Sequence, residues 1–287
     1  MAESPSHQFG QVIGDVLEAG LEPTLQGFAD KYNLYLDKHG PRPAREGNKV
    51  SWTDKNGNKH DLDFVLERSG TPKTIGTPIA FVETAWRRYT KHSRNKAQEI
   101  QGAIMPLVET YGSSPFIGAV LAGEFTEGAI SQLVSLGFVV AYFPYASVVK
   151  AFSIVEIDAS SDEGTADSEF AARMEKWNAL LPSQKEDVGR ELFRLNAKQI
   201  GEFMERLEQT VTRQVKSVRI LPLHGNPMEW KTVNEAIKFI SGYKEDSKSS
   251  PFCRYEVLIV FINGNRITGE FISKKDAIQF LEMNKGA

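Results

Sequence analysis

Asp63 and Glu83 each sit in a short run of apolar residues, and a strongly basic segment follows the second directly. The first run is His60-Asp61-Leu62-Asp63-Phe64-Val65-Leu66-Glu67, and the second is Ile79-Ala80-Phe81-Val82-Glu83-Thr84-Ala85. A carboxylate inside an otherwise buried strand is costly unless it is paired, exposed or bound to a metal. Taken alone, each reads most simply as an edge-strand acid in water. The segment after Glu83 changes that reading, because Arg87, Arg88, Lys91, Arg94 and Lys96 follow with no acid before Glu99. Hard carboxylate oxygens beside a cationic stretch are what holding a divalent cation against a phosphate requires.

The elements that would position these residues are legible nearby. The Asn56-Gly57 step predicts a tight two-residue hairpin turn, with 49–53 antiparallel to 59–66. Side chains alternate along a strand, so Asp61, Asp63 and Glu83 share a face only if the register brings them together. From Trp86 onward, helical spacing places Arg87, Lys91, Arg94 and Gln98 on one face, with Trp86, Tyr89, Ala97, Ile100, Ile104 and Leu107 opposite. Upstream, Val12, Val16, Leu17, Leu21, Leu25, Phe28 and Tyr32 predict a helix over 11–35. Downstream, 115–122 and 138–143 read as strands joined by a crossover helix at 128–136; such unbroken apolar strands suit a sheet covered on both faces.

A hairpin, a strand with Asp, a strand with Glu, a helix and two further strands resemble the PD-(D/E)XK nuclease superfamily, to which type II restriction endonucleases belong. The resemblance spans roughly residues 10–155 and rests on a short motif. It implies an α/β fold with a restriction-endonuclease-like mixed sheet flanked by helices. It also implies Mg²⁺-dependent hydrolysis of DNA phosphodiester bonds. Asp63 takes the place of the metal-binding aspartate, with Asp61 the second choice, and Glu83 that of the acid in the second half-motif. The carbonyl of Thr84 joins them as a metal ligand. The superfamily's lysine would fall two residues after Glu83, where this chain has Ala85. Lys91 is the first choice to replace it, ahead of Lys96 and Arg87. Arg87, Arg88, Arg94 and Lys96 would meet the DNA backbone, and an early helix would lend a further acid, Glu18 or Glu22. His92 and His60 lie near enough in sequence to assist, although an exposed histidine without a role is the simpler reading of each. A homodimer would match the two-fold symmetry of duplex DNA.

At 287 residues two cores are expected. The small, acidic stretch 158–165 marks a boundary, giving a nuclease-like core at 1–158, a helical segment at 159–215 and a small α+β module at 216–287 for DNA recognition or dimerisation. Ser183 with Glu186 and Asn196 with Gln199 predict capping boxes within the helical segment. In the last module the pattern predicts strands at 217–223, 254–261 and 266–272, with helices at 232–240 and 274–283. No internal repeat is apparent.

With 34 basic and 37 acidic residues the net charge is −3, so DNA contact must be concentrated in patches. The single cysteine, Cys253, excludes an intramolecular disulfide and a cysteine-based zinc site. No signal pattern and no run of roughly 20 apolar residues is present, which predicts a cytoplasmic protein without a membrane span. Neither a His-Glu-x-x-His zinc helix nor a phosphate loop occurs. Two alternatives to a restriction-type nuclease stay open: a catalytically silent DNA-binding module of the same fold, suggested by Ala85, and a structure-selective repair nuclease.

Overall fold

Ser4 accepts the His7 N–H and Pro5 opens a long helix, α1 (Pro5–Tyr32), in the computed structural model, which describes residues 4–112, 115–245 and 251–285. The helix buries Phe9, Val12, Ile13, Val16, Leu17, Leu21, Leu25 and Phe28. It stops short of residue 35 because Asn33, left-handed at φ 53°, turns its N–H back onto the Ala29 and Asp30 carbonyls. The chain then enters a strand that the helical periodicity had hidden, β1 (Leu34–Lys38).

The hairpin forms between β2 (Val50–Thr53) and β3 (Lys59–Leu62), paired from Val50 with Leu62 to Thr53 with Lys59. Its turn is one residue longer than expected. The Asp54 N–H reaches the Asn58 carbonyl at 2.9 Å across Lys55, Asn56 and Gly57, with Gly57 supplying φ 86°. The strand expected over 59–66 breaks at Asp63. Beyond it, β4 (Phe64–Arg68) pairs antiparallel with β1 and with β5 (Thr77–Arg87).

Strand β5 passes its expected end because Ala85, Trp86 and Arg87 pair in parallel with Leu121, Ala122 and Gly123 of β6 (Phe116–Gly123). Trp86 and Arg87 are therefore strand residues. A 3₁₀ turn spans Thr90–His92 and helix α2 begins only at Ser93 (Ser93–Tyr111). The continuous cationic face drawn through Arg87, Lys91, Arg94 and Gln98 does not exist; the apolar stripe Ala97, Ile100, Ile104 and Leu107 does, and is buried. Helix α3 (Glu127–Ser135) leads to β7 (Val139–Pro144), and α4 (Tyr145–Ser153), which the sequence did not suggest, follows it. The five-stranded sheet runs β1-β4-β5-β6-β7, antiparallel through β5 and parallel beyond.

Three helices follow: α5 (Asp167–Ala179), α6 (Pro182–Leu195) and α7 (Ala197–Val211). They do not form a body of their own over 159–215. Helices α5 and α6 pack on α1, and the first unit comprises Met1–Glu109 with Phe116–Arg206. Gly20 suits the α1–α6 crossing, because a Cβ there would lie 2.6 Å from the Phe193 ring. The capping box expected at Ser183 is absent, since α6 starts two residues earlier, with Leu181 at its N-cap. Only the Gln184 side chain contributes, accepting the Leu181 N–H at 2.9 Å. Asn196 closes α6 rather than forming a box with Gln199, its amide donating to the Leu192 carbonyl at 2.8 Å.

A buried ion network locks the β1 edge. Arg42 donates to Glu67 at 2.5 and 3.0 Å, lies 2.9 Å from Asp37, and also reaches the Thr71 and Thr74 carbonyls. Arg45 takes the other side of Asp37 at 3.2 Å. Asp37, Arg42 and Glu67 are all buried. Removing one partner strands a buried charge, so Arg42→Ala should destabilise the protein by about 3–5 kcal/mol. Urea unfolding of the variant measures this, and a change below about 1 kcal/mol would show that the network is not closed in solution.

The second unit comprises Thr110–Pro115 and Leu207–Ala287. It holds β8 (Val215–Pro222), β9 (Met228–Trp230), α8 (Val233–Gly242), β10 (Tyr255–Phe261), β11 (Arg266–Phe271) and α9 (Lys274–Met283), with sheet order β11-β10-β8-β9. Contrary to the sequence reading, it is an internal repeat. Arg219 faces Glu229 across the first hairpin as Leu258 faces Thr268 across the second. The turns read Gly225-Asn226 and Gly264-Asn265, and the helices follow Thr232 and Ser273, each capping the N–H three residues on. Glu235-Ala236-Ile237 and Asp276-Ala277-Ile278 then match in order. The central β8–β10 pairing sets Val218 opposite Ile259 and Ile220 opposite Val257, so each pair is the other's image under a two-fold axis through Arg219 and Leu258.

Candidate active site

Asp63 occupies the break between β3 and β4, and the β4–β5 register, with Phe64 opposite Val82, carries it to the level of Glu83. Three hydrogen bonds fix the pair. The Thr84 N–H and hydroxyl donate to Asp63 Oδ2 at 2.7 and 2.8 Å, and the Asp63 N–H donates to Glu83 Oε1 at 3.2 Å. Thr84 thus acts through its N–H and hydroxyl as the clamp on Asp63, in addition to any role for its carbonyl.

Glu83 is 7% exposed, and burial followed by the Asp63 charge pushes its carboxyl well above the usual range. The cation that opposes this shift is Lys96, on the first turns of α2. Glu18, on α1, joins from the other side: burial, Asp63, Asp15 and Glu22 raise its carboxyl to about 7. A cleft of about 540 Å³ opens beside Asp63 and Glu18, lined also by Asp15, Glu22, His39 and Asp61; Glu83 and Lys96 are not among its lining residues. The resemblance implied an acid from an early helix, Glu18 or Glu22, without placing either. Asp15 and His39 were missed, and nothing in their own sequence context marks them.

The remaining expected residues lie in other settings. Asp61 lines the same cleft but is paired with Lys49 at 2.7 Å and Ser51 at 2.5 Å, contacts that lower its carboxyl pKa. Lys91, the first choice for the missing lysine, is in the 3₁₀ turn, 59% exposed and 3.4 Å from Glu163. Lys96, the second choice, is 22% exposed and lies 3.3 Å from Glu99, and its charge also acts on Glu83. His92 is exposed in the same 3₁₀ turn, and His60 is held 3.0 Å from Asp54 at the hairpin turn. Arg88 is structural: it donates to the Ser6 carbonyl at 2.9 Å and lies 4.3 Å over the Phe170 ring. Arg87 donates to the Trp86 carbonyl and lies 3.6 Å from Glu99, whereas Arg94 is exposed.

Asp63, Glu83 and Glu18 offer hard carboxylate oxygens, the donor type that Mg²⁺ takes. Among the described residues no three His, Cys, Asp or Glu side chains form a ready-made metal cage. Mg²⁺ does not require one, since it keeps several waters and is commonly held by one or two carboxylates plus substrate phosphate.

These pKa shifts carry a sign. Folded-state values above the ordinary 4.5 mean that the native protein keeps protons the unfolded chain releases, so stability falls as pH rises from about 4.5 to 7. A cation bound at the site competes with those protons. Mg²⁺ should therefore raise the melting temperature more at pH 8 than at pH 5, and Glu18→Gln should flatten the fall in stability between them. Equal Mg²⁺ shifts at both pH values would separate the acids from metal binding.

No family model matches the chain, and no curated protein matches it. A crystal structure of a protein of unknown function is similar at 12% identity over 65% of this chain and 98% of that one, with a TM-score of 0.30. A likeness of that size carries no argument. Among the described residues no helix is long and apolar enough to cross a membrane.

Proposed function

We propose that the protein is a Mg²⁺-dependent DNA endonuclease of the PD-(D/E)XK type, most similar in kind to type II restriction enzymes and acting as a homodimer. The observation that carries the reading is Asp63 clamped by Thr84 and bonded to buried Glu83, with Lys96 as the opposing charge. The order of elements supports it, since the β2–β3 hairpin, β4, β5, α2, β6 and β7 follow one another as the resemblance implies.

Asp63 and Glu83 would hold the cation. Bound Mg²⁺ supplies Lewis-acid stabilisation of charge on the phosphate and lowers the pKa of water. Thr84 keeps Asp63 Oδ2 oriented before substrate arrives. The Lys96 ammonium stabilises negative charge that develops on the phosphoryl oxygens as a water oxygen bonds to phosphorus and the bond to the leaving sugar oxygen breaks. Glu18, which lines the same cleft as Asp63, is the group placed to take the proton released by that water.

The second reading, a DNA-binding module of the same fold without catalysis, is favoured by Ala85. It loses force because Lys96 offers from α2 the charge that position 85 lacks. Incubating supercoiled plasmid with the protein and Mg²⁺ separates the two: nicked or linear product supports the enzyme, and retention of intact plasmid in complexes supports the module.

Phosphate contact should rest on the exposed cations. Arg94→Ala should shallow the slope of log affinity against log salt by about 0.9 for one lost phosphate contact. Arg88→Ala should lower thermal stability and leave that slope unchanged. A shallower slope in the Arg88 variant alone would reverse the assignment.

A further inference from the structure

We propose that β11 is a dimerisation edge, pairing antiparallel about Thr268 with β11 of a second copy to continue the sheet of the second unit across a two-fold axis. The inference is independent of the nuclease reading. The internal repeat identifies the edge. Its two ββα halves meet through their first strands, β8 and β10, which leaves the equivalent second strands, β9 and β11, outermost. The two edges are treated differently. Strand β9 is three residues long and follows Pro227, which is how proteins blunt an edge against pairing. Strand β11 is six residues, free of proline and lysine, with no further strand beside it among the described residues.

Its sequence is self-complementary in one register. With Thr268 opposite the same threonine of the second copy, Arg266 falls opposite that copy's Glu270, and the reverse pair follows by symmetry. Arg266, Thr268 and Glu270 are exposed on one face of the strand, and Ile272, at its end, is 82% exposed, the most open of the large apolar side chains in the described chain. Glu270 also lies 3.2 Å from Arg254 of its own chain and stays open enough to accept a second cation. Two opposite-charge cross-strand pairs favour a second copy over an unrelated peptide strand, which would have to supply both charges in order. The β8–β10 pairing inside the unit is the same kind of association, between related halves about a two-fold axis.

The test uses the full chain. Sedimentation should show a concentration-dependent monomer–dimer equilibrium, weakened by about tenfold in Arg266→Glu, where like charges face each other twice. In a Cys253→Ser background, Thr268→Cys should form an intermolecular disulfide on mild oxidation, because the two Cβ atoms would face each other across the axis. Circular dichroism confirms that each variant is folded. A protein that stays monomeric at every concentration, a dimer unaffected by Arg266→Glu, or a Thr268→Cys variant that does not cross-link overturns the proposal.

Discussion

Asp63→Ala should lower Mg²⁺-dependent DNA cleavage by at least about a thousandfold while the protein stays folded and still binds DNA. The size follows from the several kcal/mol that a bound cation contributes to stabilising charge on phosphate, each 1.36 kcal/mol being about tenfold in rate. Folding should survive because Asp63 lies at the break between two strands, half-buried, and contributes no apolar packing. Its loss frees the Thr84 N–H and hydroxyl, a cost of about 1–3 kcal/mol if no water replaces it. Glu83→Gln is the companion variant. It keeps an acceptor for the Asp63 N–H and removes a charge whose burial the protein opposes, so it should be at least as stable as the parent and equally inactive. A fully active Asp63→Ala enzyme would shift attention to Asp61, which lines the same cleft.

Lys96→Ala should lower the single-turnover cleavage rate by about 10²–10³-fold and weaken DNA binding by less than about tenfold, because a charge aimed at the transition state contributes mainly to chemistry. Lys91→Ala should leave the rate near that of the parent, since its ammonium is exposed beside Glu163. Saturating enzyme separates rate from affinity. A variant pair in which Lys91 carries the rate effect and Lys96 does not would return the role to the 3₁₀ turn and require Lys91 to leave Glu163.

Local patterns in the sequence found the carboxylate pair, because strand alternation and flanking turns mark Asp63 and Glu83 without reference to anything distant. They misplaced the start of α2 for a non-local reason. Periodicity from Trp86 onward assumed one helix, but parallel pairing with β6 extends β5 through Arg87 and delays the helix to Ser93, which leaves Lys91 in the 3₁₀ turn and puts Lys96 on the first turns of α2. The Arg42–Glu67–Asp37 network was invisible for the same reason, its members coming from separate segments whose meeting only the sheet decides. The repeat in the second unit was legible in principle. Thr232 and Ser273 each follow a Gly-Asn turn and each precede an acid, Ala and Ile, but the helices are offset by two residues relative to the hairpins, which hides the match from a fixed-period comparison.

The central claim is that Asp63, Glu83 and Lys96 hydrolyse DNA with a divalent cation. Its most direct test is to incubate plasmid and genomic DNA with the purified parent protein and with the Glu83→Gln variant, in Mg²⁺ and in excess chelator. Cleavage by the parent in Mg²⁺, none in chelator and none by the variant under either condition is the predicted result. Cleavage that persists in chelator or in the variant would contradict the assigned site, and intact DNA throughout would contradict the enzyme.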